Sequence, residues 1–255
     1  MAGTKRVAGL RGRRPVKPAG QRFAIKYIHD YLKAPLPAPT YPVDVTGNVT
    51  DWGMLGNGPD ATCKTHPDGV GDCTFAGRQH YRMAKAAAAA EGETWESSDD
   101  LVAEYLAYDH GKDEGANIAD LLLAWYRAGT ILAFAPVDHT QRGAVDAAMG
   151  AFNGVYVGVN LTANADQLFE QGQPWALAGQ QPDPNEGHCI VKVKADQSTD
   201  GWVTWGALQL SELDWTAACL DEAWAIITQE DADATNLDLA QLKADIDALG
   251  GTGGS

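Results

Sequence analysis

Apolar positions repeat at two periods along this chain, and the change of period divides it. From Cys73 to about Glu91 there is no Pro and no Gly after Gly77. Phe75, Gln79, His80, Met83, Ala87 and Ala90 fall close to one face at a helical repeat. The five-alanine run inside this stretch favours helix and close packing. "SSDDLVAEYLAYDHG" predicts a second helix, opened by capping serines and acids and closed by Gly111. "GANIADLLLAWYRAGT" predicts a third, stopped at Gly129, and "RGAVDAAMGAF" a fourth. Upstream, "QRFAIKYIHDYL" predicts a short helix ended by the four prolines of "KAPLPAPTYP". The Gly- and Asp-rich stretch between those prolines and Cys73 reads as loop.

Beyond residue 153 the repeat shortens to two. "GVYVGVNL" (154–161) alternates through Val155, Val157 and Val159. "GHCIVKVKAD" (187–196) puts His188, Ile190 and Lys192 on one face and Cys189, Val191 and Val193 on the other. "GWVTWGALQLS" is expected as one further strand and "EAWAIIT" as the last. "LDLAQLKADIDALGG" returns to a helical repeat, with Leu239, Leu242, Ile246 and Leu249 in register. Helices first and antiparallel strands after them give an α+β class.

Composition narrows the picture. The chain has 255 residues, 45 % hydrophobic, with eight Trp, enough to bury a sizeable core. Its longest apolar runs are far too short to span a bilayer, and the basic N-terminus lacks the apolar centre of a signal peptide. Cysteines at 63, 73, 189 and 219 form no CxxC pair, so neither a disulfide scaffold nor a zinc site is expected. No cofactor or metal is implied. Charge is segregated: residues 1–29 hold eight Lys or Arg and no acid, leaving 11 basic against 34 acidic residues in the rest. Such a body repels nucleic acid, whereas the arm suits phosphate or an acidic protein surface.

The candidate chemistry is nucleophilic. Cys73 follows a Gly-Asp pair and opens a helix, where free backbone N–H groups and the helix dipole favour a thiolate. His80 stands two turns along the same helix, about 10 Å away, and is out of reach as its partner. His188 opens a strand 115 residues later and is the candidate base.

"GDCTFAG" and "GHCIVKVKADQSTDGWVTWG" resemble the nucleophile segment and the His strand of papain-like cysteine peptidases, including the Trp-Gly pair 17 residues after His188. With "WGMLGN", "EGANIADLLLAWYRAG", "GVYVGVNL" and "DEAWAII", the chain is similar over residues 52–228 to papain-like proteins of phages and bacteria. The resemblance implies a papain-like α+β fold, an N-terminal helical half whose Cys-bearing helix packs on a C-terminal antiparallel sheet. With the papain-like domain placed at 23–228, charge and periodicity leave a basic arm (1–22) before it and an acidic C-terminal helix with a Gly-rich tail (229–255) after it.

The sequence departs from that family at two positions. Where the imidazole-orienting Asn or Asp is expected, two residues before Trp205, stands Val203; Thr204, Asp196 and Asp200 are the candidate substitutes. Where the oxyanion donor is expected, six residues before Cys73, stands Pro67. The Gly56-Asn57 pair offers an alternative donor in Asn57, displaced upstream by an insert that carries Cys63, a possible disulfide partner for Cys73. Two functions fit. One is a phage-encoded cysteine peptidase or amidase acting on a peptide or a peptidoglycan crosslink, with Cys73, His188, Asn57 and Thr204 as its site. The other is a virion structural protein, a capsid or tail component anchored to other virion proteins by the arm. Either places it in the virion or host cytoplasm, with no membrane partner and with nucleic acid reached only through the arm.

Overall fold

A computed structural model describes residues 6–16, 25–89 and 95–249 of the chain. Its centre is helix α1 (Cys73–Ala89). Residues 73–81 of this helix are buried at every position, not along one stripe as the periodicity suggests. Small residues make this feasible: at Gly77 an added Cβ would lie 3.0 Å from the Tyr156 ring and 3.2 Å from the Cys189 sulfur. The helix therefore lies directly on the sheet behind it. Helices α2 (Ser98–Tyr108) and α3 (Ile118–Ala128) complete the helical half. Ser97 caps α2 through the Asp100 N–H, and Asn117 caps α3 through the Asp120 N–H. Gly129 ends α3 in the left-handed region, with φ 74°.

Seven strands form one antiparallel sheet among the described residues. They are β1 (Val43–Asp44), β2 (Ala133–Pro136), β3 (Val155–Asn160), β4 (Gly187–Ala195), β5 (Thr199–Thr204), β6 (Ala207–Glu212) and β7 (Leu220–Ile227). Their order is β2-β7-β3-β4-β5-β6, with β1 paired to the end of β4. The α+β expectation holds, with the Cys-bearing helix on the antiparallel sheet. Helix α4 (Arg142–Phe152) packs near β3, β4 and β7, and α8 (Leu239–Ala248) sets Leu242 and Ile246 against β2 and the turn at Ile28–Tyr31.

Three readings of the pattern change. Around "QRFAIKYIHDYL" the described residues form a single 3-10 turn, Ile28–Tyr31, and residues 17–24 lie outside the described part. "GWVTWGALQLS" is two strands, because Thr204 pairs with Ala207 across a two-residue turn made by Trp205 (φ 46°) and Gly206 (φ 73°). Two consecutive positive φ angles make the primed turn that suits hairpin twist; Asn-Gly announces it in a sequence, and Trp-Gly does not. The short elements β2, α5 (Ala165–Glu170), α6 (Leu213–Cys219) and α7 (Gln229–Thr235) carry too few residues for a period to show.

Strand β4 is buried on both faces, including Lys192, which is fully buried. Its ammonium lies 2.6 Å from Asp146 of α4 and 2.8 Å from Asp200 of β5, and Arg142 reaches Asp200 at 2.9 Å. Two cations thus meet two fully buried carboxylates where α4 crosses the sheet.

Candidate active site

Cys73 is the first residue of α1 and is buried. The Asp72 carbonyl accepts from Phe75 and Ala76 N–H, so the turn before the helix is built by the "GDC" run itself. Gly71 N–H donates to Asp113 at 2.8 Å and pins the loop from below. Asp72 is fully buried, with the Asn57 side chain beside its carboxyl group. Burial raises its pKa well above the ordinary carboxylate range, against the Asn57 side chain, which lowers it.

The insert upstream folds back on itself. Val70 N–H donates to the Gly56 carbonyl, and the Asn57 side-chain amide donates to the Val70 carbonyl at 3.3 Å. An added Cβ at Gly56 would fall 3.2 Å from an Asp72 carboxyl oxygen, so the Gly56-Asn57 pair lies beside the helix start despite its distance in sequence. Asp60 organises the insert, accepting from Gly56 N–H and from the hydroxyls of Ser98 and Thr62. Cys63 carries a free thiol directed at Asp99, and Cys73 is free as well.

His188, also buried, lies in the second residue of β4. Its Nε2 is 2.8 Å from Thr204 Oγ1 on the neighbouring strand, and its ring stacks on Trp205 with centroids 4.7 Å apart. With Nε2–H donating to Thr204, Nδ1 is left bare, and it has no hydrogen-bond partner. The Cys189 N–H, one residue on, donates to Cys73 Sγ at 3.4 Å. The thiol thus lies against the backbone one residue beyond His188, between helix and sheet, and is not hydrogen-bonded to the imidazole. Trp205 is held in a left-handed conformation that a bulky side chain rarely adopts, and it is the residue that covers His188. Of the three candidate orienting groups, only Thr204 reaches the imidazole. Asp196 is engaged in its own turn with Ser198 and Thr199, and Asp200 belongs to the Lys192 cluster.

Both groups are neutral here. Burial pushes the Cys73 thiol up to about 12. His188 falls well below its ordinary value, first through burial and then through Arg11 and Arg13. His80, whose Nε2 bonds the Gly53 carbonyl at 3.0 Å, is lowered by burial to about 4. A histidine with a depressed folded pKa stabilises the fold fully above its unfolded value of 6.5 and loses that contribution as pH falls toward the folded value. His80 alone carries roughly 3 kcal/mol of this kind. Urea midpoints are thus expected to fall between pH 7 and pH 5, above the carboxylate range, and a flat profile there would contradict buried neutral imidazoles.

What excludes water from the site is the chain's own N-terminal arm. Leu10 N–H donates to the Asn57 carbonyl, Arg13 N–H to Gly187, and Arg14 N–H to Ala116, while Ala116 N–H donates to Gly12. Gly12 faces Cys73 with its N–H. An added Cβ at Gly12 would sit 1.5 Å from the Gly71 carbonyl, and one at Gly9 1.9 Å from the Asn57 carbonyl, so the arm fits only because both lack side chains. Its guanidinium groups find the acidic body: Arg11 meets Asp166 and Glu186, Arg13 meets Asp221 and Glu222, and Arg14 meets Asp109. The acidic protein surface suited to the arm is, in this structure, its own domain. The described part of the arm, expected to engage other virion proteins, is occupied in this contact.

No family model and no curated protein matches the sequence. Solved structures do. Xylellain, a cysteine protease from Xylella fastidiosa, superposes with a TM-score of 0.57 at 12 % identity, over 89 % of this chain and 99 % of its own. The fold is that of papain-like cysteine proteases. Digestive procathepsin L 3 of Tenebrio molitor larval midgut gives a TM-score of 0.53 at 13 % identity, over 88 % of this chain and 76 % of its own.

Within this papain-like frame, His188 and Thr204 bond each other, Asn57 bonds the Val70 carbonyl just before α1, and Cys73 bonds the N–H of Cys189. Asn57 arrives by closure of the insert, Cys73 by the helix start, His188 by β4 and Thr204 by the end of β5. The sequence reading missed the arm's place in the cleft. Gly9, Gly12 and the three arginines of "GLRGRR" were its signal, since a basic segment with spaced glycines suits a narrow acidic trough. No helix among the described residues is long and apolar enough to cross a membrane.

Proposed function

We propose that the protein is a cysteine peptidase or amidase, kept latent by residues 6–16 of its own arm. The reading is carried by one observation: Cys73 Sγ accepts the N–H of the residue that follows His188, on a fold shared with cysteine proteases. When the arm leaves, water enters and the positive charges of Arg11 and Arg13 move away. Both changes raise the imidazole pKa. Hydration lowers that of the thiol, for which burial is the largest influence, while loss of Arg13 and of the Gly12 N–H acts the other way; with burial relieved, proton transfer from Sγ to Nδ1 is favoured. The thiolate then attacks the carbonyl carbon of a peptide or amide. The side-chain amide of Asn57 and the Cys73 N–H stabilise the oxyanion. Nδ1–H protonates the departing amine as the C–N bond breaks, leaving a thioester. Water, deprotonated by His188, hydrolyses the thioester and restores the thiol. The arm is not itself presented for cleavage, because it shows the sulfur an N–H rather than a carbonyl carbon.

The test uses fluorescein-labelled casein and the full chain with Arg11, Arg13 and Arg14 replaced by Ala. Hydrolysis is expected, and Cys73→Ala in that background abolishes it. A Cys73 thiol that titrates at its free value of about 8.5 in the released protein would end the activated-thiolate reading. Thr204 is a positioning residue on this account. Thr204→Val is expected to slow hydrolysis by on the order of 10–100-fold, within what positioned acid–base catalysis supplies. It also shifts the acid limb of the pH profile, and Thr204→Ser restores both.

A further inference from the structure

The arm's Arg13 marks a feature of the cleft that the catalytic groups do not account for. Its side chain is fully buried, yet it belongs to a segment that must leave for the site to work. The pocket that holds it is built for a guanidinium. Nη1 lies 2.9 Å from Asp221 and 3.0 Å from Glu222, and Nη2 donates to the Val159 carbonyl at 3.1 Å and to Asn160 Oδ1 at 2.5 Å. Glu222 is fixed from behind by Trp224, whose Nε1–H donates to it at 2.8 Å. Space for the stem comes from Gly158: an added Cβ there would stand 2.7 Å from Arg13 Cδ. The same two carboxylates also line a cavity with Val16, Asn117 and Trp224, so the anionic pocket continues past the guanidinium.

The pocket is also close to the chemistry. Arg13 N–H bonds the Gly187 carbonyl, which immediately precedes His188, and the neighbouring Gly12 faces Cys73. A substrate backbone lying in the same trough would present a side chain to this pocket within a residue or two of the carbonyl under attack.

We infer that the Asp221–Glu222–Asn160 pocket is a specificity pocket that binds the arginine side chain of a peptide entering the cleft, and that Arg13 occupies it in place of substrate. This rests on the peptidase reading above for the word substrate, and on geometry alone for the guanidinium. Charge-assisted bonds from Nη1 to two carboxylates, with neutral acceptors for Nη2, single out arginine over an uncharged side chain of equal shape. Burial raises the Glu222 pKa, opposed by Arg13, so a vacated pocket favours re-entry of a cation.

Two measurements separate the parts. In the full chain carrying Arg13→Ala and Cys73→Ala, n-propylguanidinium is expected to raise the melting temperature in a saturable manner, whereas the neutral isostere n-propylurea does not. Glu222→Gln in that background weakens the guanidinium effect at least tenfold in concentration. Equal shifts from the two compounds, or none, overturn the pocket assignment. In the full chain with Arg11, Arg13 and Arg14 replaced by Ala, fluorogenic peptides carrying arginine or citrulline at each of the two positions before the cleaved amide are compared. A preference for arginine of at least 50-fold in kcat/KM is expected at one position, narrowed about tenfold by Glu222→Gln. Casein hydrolysis without arginine preference overturns this inference and leaves the peptidase reading standing. Guanidinium-selective stabilisation with no peptide or casein hydrolysed does the reverse: it supports the pocket and removes the enzyme.

Discussion

Replacing Arg11, Arg13 and Arg14 together by Ala in the full chain is expected to speed alkylation of Cys73 by iodoacetamide roughly 10²–10⁴-fold at pH 7.5. The magnitude follows from what each guanidinium contributes to docking. Arg13 is a fully buried charge with four polar contacts, and truncating one partner of such a pair costs about 2–5 kcal/mol. Arg11 and Arg14 are partly exposed, so each adds only about 0.2–1 kcal/mol. The loss falls on the docked state alone, because Asp221 and Glu222 become hydrated once the arm departs. Every 1.4 kcal/mol is a factor of ten in the open population, and labelling follows that population until the arm is fully released. Mass spectrometry of the labelled cysteine reads the rate. Circular dichroism shows whether the variant has stayed folded. A well-folded variant labelled no faster than the parent would mean that the arm does not gate the thiol. Arg11→Ala with Arg14→Ala, leaving Arg13, is expected to move the rate by less than about 30-fold.

The second large effect concerns the fold beneath the site. Lys192→Met is expected to cost about 3–5 kcal/mol, because it strips a buried cation from two fully buried carboxylates. For a domain of this size that is roughly a 10 °C fall in melting temperature. The cluster as found holds two cations, Lys192 and Arg142, and two anions, Asp146 and Asp200. Removing one of each restores the balance, so Lys192→Met with Asp146→Asn is expected to recover more than half of the loss. Tyr41, whose hydroxyl donates to Asp146 at 2.6 Å, keeps its acceptor in that double variant. Calorimetry of the three proteins decides it. A single variant within about 0.5 kcal/mol of the parent, the range of ordinary surface changes, would show that the charges are not acting as a balanced unit.

Arm and cluster differ in how far their sequence announced them. The segregation of eight basic residues into the first 29, against a strongly acidic remainder, already says that the two parts attract. It says nothing of which carboxylates are met, since Asp166, Glu186, Asp221 and Glu222 converge only after β3, β4, β7 and α5 have assembled. Lys192 sits in an alternating strand where a lysine reads as solvent-facing. Its burial depends on α4 covering that face with Asp146, a long-range event that period alone does not report. Trp205 misled for a local reason, being a large residue in a turn that favours Asn or Gly.

By itself the sequence determined what short-range chemistry determines. The helix opening at Cys73 was legible because Gly71 and Asp72 end one conformation and an unbroken run of helix formers begins another. The strand carrying His188 was legible from its alternation, and the order of helices before strands indicated the fold class. Only the tertiary structure decided the rest. Thr204 rather than Asp196 or Asp200 meets the imidazole because register across β4 and β5 places it there. Asn57 returns to the helix start because the insert closes on its own backbone. And the thiol pKa is raised rather than lowered because burial outweighs the Gly12 N–H and Arg13, which an arm more than 50 residues away in sequence brings to the cleft. A helix N-terminus lowers a thiol pKa only as far as desolvation allows, and desolvation belongs to the whole fold.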